Sequence, residues 1–108
     1  TAAHPGNPAL ARVRATRSGA LDGRPGRQYL VDFDGPALPA AAAGDAVHVQ
    51  AAASAGVLRN AVAYPHPGGG WRVGFELEPG DAPAVELRLW LEGAAGRLSE
   101  TWLSRWTP

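Results

Sequence analysis

One hundred and eight residues are one domain's worth, long enough to bury roughly 65% of the unfolded surface in a single core without staples. There is no cysteine, which excludes disulfides and thiolate metal sites without fixing a redox compartment. Ten Lys plus Arg balance ten Asp plus Glu, and a chain with no basic block lacks the surface that nucleic-acid binding by counterion release requires.

All ten cations are Arg, and Lys, Ile and Met are absent. With the excess of Ala, Gly and Pro, this reads as a GC-rich coding bias. The first residue is Thr1 and no Met occurs, so the sequence reads as an excised or processed piece. No apolar run approaches the ~20 residues of a membrane span. No basic segment precedes an apolar stretch near Thr1, so no signal peptide is visible; a leader would belong upstream.

Residues 1–10 hold two prolines and a glycine and read as a linker or tail. The domain itself is expected over 11–108. Ala11–Thr16 alternates Val13 with Arg12 and Arg14, a short first strand, and 18–26 reads as a loop. Arg27–Asp34 is a second strand with Tyr29, Val31 and Phe33 on one face, stopped by Gly35-Pro36. The alanine-rich 37–44 has room for about one helical turn between its breakers. Ala46–Ala52 is a third strand. Val57–Tyr64 is a fourth, with Leu58, Asn60, Val62 and Tyr64 opposite Val57, Arg59, Ala61 and Ala63.

Trp71–Glu78 is a fifth strand, directing Trp71, Val73, Phe75 and Leu77 to the core. Ala84–Glu92 is a sixth, with Val85, Leu87, Leu89 and Leu91 inside and Glu86, Arg88, Trp90 and Glu92 outside. Gly93–Gly96 makes a hairpin with a seventh, Arg97–Trp106. About seven short strands without a convincing helix predict an all-β, immunoglobulin-like antiparallel sandwich. The Cys…Trp…Cys pattern of antibody domains is missing, and a closed barrel is the alternative.

Catalytic constellations are hard to find. A nucleophilic triad needs an oriented base beside Ser, Thr or Cys, but His4 falls in the tail, His66 in a proline-flanked loop and His48 on a polar strand face. Asp32 and Asp34 are the best local pair for a cation, and they read more simply as a solvated strand end. Glu76, Glu78, Glu86 and Glu92 could supply glycosidase-like carboxylates; cross-strand pairing with Arg72 and Arg88 is the simpler expectation. Gly68-Gly69-Gly70 lacks the Lys and the helix of a phosphate loop. No catalytic residue, metal site or cofactor is expected.

The tryptophans remain. Trp71 is in phase with the core. Trp90 is out of phase with the leucines around it, and Trp102 and Trp106 share a face with Leu98, Glu100 and Ser104. Trp90, Trp102 and Trp106 are therefore the candidates for ligand binding or an interdomain contact, since exposed indoles stack on sugars or mark interfaces.

Five stretches, taken together, resemble one family: 14–19 (Arg-Ala-Thr-Arg-Ser-Gly), 29–35 (Tyr-Leu-Val-Asp-Phe-Asp-Gly), 70–73 (Gly-Trp-Arg-Val), 85–89 (Val-Glu-Leu-Arg-Leu) and 98–102 (Leu-Ser-Glu-Thr-Trp) with Trp106. In order and spacing they are similar to the C-terminal part of the periplasmic glucan biosynthesis proteins of the G and D type, over roughly 11–106. The resemblance implies a periplasmic protein required for osmoregulated glucans with a β-1,2-linked backbone. It implies a large N-terminal β-sandwich, absent here, that carries the glucan chemistry, and a small immunoglobulin-like domain, present here, with no catalytic residue. Its expected partners are that N-terminal domain, glucan and other glucan-synthesis proteins, with no nucleic acid and no membrane insertion. The sequence departs from the family pattern over 37–55 and at the Trp-Leu-Ser-Arg-Trp ending, where Ser104 replaces an aromatic. The alternative reading is an autonomous carbohydrate-binding module using its surface tryptophans.

Overall fold

The computed structural model describes residues 10–23, 25–35, 38, 47–93 and 96–108. The expected tail except Leu10, and the alanine-rich stretch except Leu38, lie outside these residues. Eight strands follow in chain order: β1 (Arg12–Ala20), β2 (Arg27–Asp34), β3 (His48–Ala53), β4 (Val57–Pro65), β5 (Trp71–Glu78), β6 (Val85–Gly93), β7 (Gly96–Arg97) and β8 (Trp102–Trp106). One sheet has the order β1-β2-β5-β4. In the other, β6 pairs with β3 on one side and with β7 and β8 on the other. Every strand pair is antiparallel. This division of strands is that of a constant-type immunoglobulin sandwich.

Period-two patterning explains the core. Tyr29, Val31 and Phe33 of β2, Trp71, Val73, Phe75 and Leu77 of β5, and Val85, Leu87, Leu89 and Leu91 of β6 are all buried. Each such side chain, taken fully out of water, contributes ~1.5–3 kcal/mol. Tyr29 stacks on Phe75 at 5.0 Å, and the Trp102 ring meets both edge-on at 5.8 Å. That trio joins the two sheets, from β2 and β5 of one to β8 of the other.

Three expectations need correction. First, β1 runs to Ala20, because its ladder with β2 continues from Arg12↔Asp34 to Ala20↔Arg27 and draws Ser18 and Gly19 out of the expected loop. Second, β4 changes phase. Its register slips between Arg59 and Val62, and Asn60 there has a φ of 57°. The bulge turns Val62 and Tyr64 to the face that holds Val57 and Arg59, whereas Leu58 and Ala63 pack inward.

Third, the last strand is broken at Leu98–Thr101, and the break is what ties the sandwich shut. Ala11 donates its N–H to the Leu98 carbonyl (2.8 Å) and accepts from the Glu100 N–H (2.8 Å), a parallel bridge from the start of β1 to Ser99. The Glu100 carboxylate accepts the Val13 N–H at 2.7 Å. Ser99, fully buried, accepts the Leu91 N–H at its hydroxyl (2.9 Å) and donates to the Glu100 carbonyl. Trp102 Nε1 donates to Thr16 Oγ1 at 2.9 Å. The Ser99–Trp102 motif is thus a latch between the edge strands β1 and β8. On the opposite side the chain crosses between sheets through Ser54–Gly56, where Ser54 exchanges two hydrogen bonds with the Glu86 backbone.

Candidate functional site

The alternation of β6 places Glu86, Arg88, Trp90 and Glu92 on the outer face of its sheet. Register sets Gln50 opposite Trp90, Ala52 and Leu103 on either side of Arg88, and His48 and Arg97 on either side of Glu92. Trp90 is half-buried. Its Nε1 donates to Glu92 Oε2 at 3.0 Å, and the Arg97 guanidinium lies over the ring at 4.5 Å, with that of Arg88 at 5.9 Å. Arg97 is itself fixed, donating to Thr101 Oγ1 at 2.7 Å. Such a cation over an indole contributes ~0.5–1 kcal/mol at an exposed site.

Beside this cluster an open groove of about 540 Å³ runs across the three strands, walled by Glu86 and Arg88 and edged by Ala52, Ser54 and the exposed Leu103. Its chemistry is apolar contact with a few hydrogen-bonding groups at the walls. Glu86 also pairs with Arg105 at 3.4 Å.

The three candidate tryptophans do not form one site. Trp90 is on the outer face, as its phase predicts. Trp102 is a correction: it stands opposite Leu89, is 5% exposed, and spends its N–H on Thr16, so it offers no surface to a ligand or a second domain. Trp106 stands opposite Val85 and packs half-buried against the core. Ser104 between them faces the same way, opposite Leu87.

The charged residues also differ from expectation in their partners. Arg72 pairs with Asp32 across the β2–β5 ladder in a two-bond fork at 2.7 and 3.0 Å. Asp32 is therefore no solvated strand end. The hydrogen bond from Arg72 holds its carboxyl below the usual value, against the effect of burial. Arg59 pairs with Glu78 at 2.9 Å, and Arg14 reaches Asp34 at 4.0 Å. His66 Nδ1 accepts the Gly68 N–H within its loop. Among the described residues no three His, Asp or Glu side chains group as metal ligands.

Two residues of the outer face went unrecognised in the sequence, Arg97 and Leu103. The hairpin register Gly93↔Gly96 would have placed Arg97 beside Glu92 and hence over Trp90. Leu103 had no such signal, because its position depends on the break after Arg97.

Comparison with known proteins places this geometry. The family described as "Periplasmic glucan biosynthesis protein, MdoG" matches residues 1–106. Glucans biosynthesis protein G of Rhodopseudomonas palustris (strain BisA53) is 44% identical over 82 residues, 75% of this chain and 16% of that protein. The proteins of the same name from Shewanella sp. (strain ANA-3) and Vibrio cholerae serotype O1 (strain ATCC 39541 / Classical Ogawa 395 / O395) are 34% and 33% identical over 91% and 94% of this chain. The chain spans less than a fifth of the length of these relatives, at 16%, 18% and 19%.

Proposed function

The chain belongs to the periplasmic glucan biosynthesis protein family, and from that premise we propose that it is a non-catalytic, immunoglobulin-like accessory domain of a longer periplasmic protein. In this reading it is the C-terminal domain, it packs on a large glucan-acting domain, and it positions that domain among glucan and other glucan-synthesis proteins. One observation carries the reading: 94% of the chain matches 19% of a relative, the proportion of a module to a multidomain protein. The site chemistry agrees with it. The guanidinium and carboxylate groups around Trp90 and on β2–β5 are engaged in structural pairs.

A second reading, an autonomous carbohydrate-binding module, is favoured by the groove beside Trp90. Against it stands Arg97, which covers the indole face on which a sugar ring would stack. Titration of the chain with linear β-1,2-glucan, followed by tryptophan fluorescence, separates the two. The accessory reading expects no change at millimolar sugar, and association of the chain with the separately expressed remainder of the protein. A saturable change that Trp90→Ala removes would establish the module instead. Failure of a folded chain to associate with the remainder would overturn the accessory reading.

A further inference from the structure

The outer face of the β1-β2-β5-β4 sheet differs in kind from the face that holds Trp90. Its middle is an apolar strip. Leu30, Gly74 and Val62 stand in one register row, and Gly74 is buried with Leu30 Cδ2 lying 3.4 Å from where a Cβ would be. The next row is Asp32, Arg72 and Tyr64, a forked ion pair ending in an aromatic ring. Val57 lies at the far end of β4, beyond the polar row of Gln28, Glu76 and Arg59. Of the four large apolar side chains exposed among the described residues, three are on this face: Val57, Val62 (53% exposed) and Tyr64.

That exposure is constructed. Without the bulge at Asn60, the alternation of β4 would turn Ala61 and Ala63 outward and hide Val62 and Tyr64. A non-glycine residue held at φ 57° is an uncommon conformation, and bulges serve to re-aim side chains. Around the strip lie polar pairs, Arg14–Asp34 at one end and Arg59–Glu78 at the other. An apolar centre with an aromatic anchor inside a charged rim is the anatomy of an interface.

The geometry points to this face as the docking surface for the remainder of the same polypeptide. The assignment rests on the accessory reading above and adds to it the face, the anchors Val62 and Tyr64, and the orientation of the domain. The occupant follows from length: relatives carry more than four-fifths of their chain outside the matched segment. The opposite sheet presents a fixed Arg–Trp–Arg cluster and a groove, with Leu103 as its one exposed large apolar side chain among the described residues.

The test uses the full-length protein with single cysteines introduced by Val62→Cys or Leu103→Cys, both at exposed positions that leave the core intact. Thiol labelling is followed at the native and the unfolded protein and mapped by peptide mass. Relative to its own unfolded rate, the cysteine at 62 is expected to react at least about tenfold more slowly than that at 103, because reagent reaches it only after local opening. Rapid labelling at 62 with protection at 103 would leave domain packing intact and overturn the assigned face. Rapid labelling at both would overturn the accessory packing itself, and the docking surface with it. A circular dichroism spectrum matching the parent shows that each variant is folded.

Discussion

Ser99 is the smallest part of the latch and the one with least tolerance. Its hydroxyl is the partner of the Leu91 N–H, and the residue is fully buried. Ser99→Ala leaves that donor without water or protein, which costs ~1–3 kcal/mol. Urea unfolding should show a lower midpoint at an unchanged m-value. Glu100→Gln keeps an oxygen for the Val13 N–H and should lose less than Glu100→Ala, measured in the same way. The Ser-Glu-Thr-Trp sequence is informative about family because each of its side chains has a structural task within the domain. Periodicity could not show this. It treats Trp102 as one position in an alternating strand, whereas its real partners, Thr16, Tyr29 and Phe75, are remote in sequence.

Among the elements, β5 and β6 were legible throughout. Both are central strands buried on one face, so alternation alone determines which side chains point inward. The edge strands were less legible. In β4 the phase depends on one extra residue, and no composition rule marks Asn60 as a bulge. Asn tolerates the left-handed conformation, and a β-branched residue does not. Asn60→Val should therefore destabilise by ~1–2 kcal/mol, and Asn60→Gly should be close to neutral. Thermal unfolding of the two variants checks the contrast. The loop before β5 shows the same constraint: Gly70 has φ 77°, and a Cβ there would collide with the Phe33 carbonyl oxygen. The site was half legible. The outward turn of Trp90 followed from its phase, but Arg97 above it required the hairpin register, and the Asp32–Arg72 fork required knowing that β2 and β5 are neighbours.

At the scale of the molecule, pH should act at both ends of the range. Asp32 has its pKa lowered from 3.8 in the folded state, first by the Arg72 hydrogen bond. Its contribution to stability is present above that ordinary value and is lost as pH falls through the lowered one. Tyr29 has its pKa raised from 10.0 by burial. The unfolded chain then releases the phenolic proton first, and stability declines as pH rises above 10. Urea midpoints across pH should fall at both limbs; Asp32→Asn should flatten the acid limb and Tyr29→Phe the alkaline one. The latch has a mechanical consequence as well. Ala11 and Ser99 run parallel, so tension applied at Leu10 and Pro108 draws the two segments past each other lengthwise. The bonds from Ala11 to Leu98 and Glu100, and from Val13 to the Glu100 carboxylate, then bear the force together and cannot peel apart in turn. A domain tethered by its ends to a larger body would resist extension in shear, with its first and last strands as the clamp.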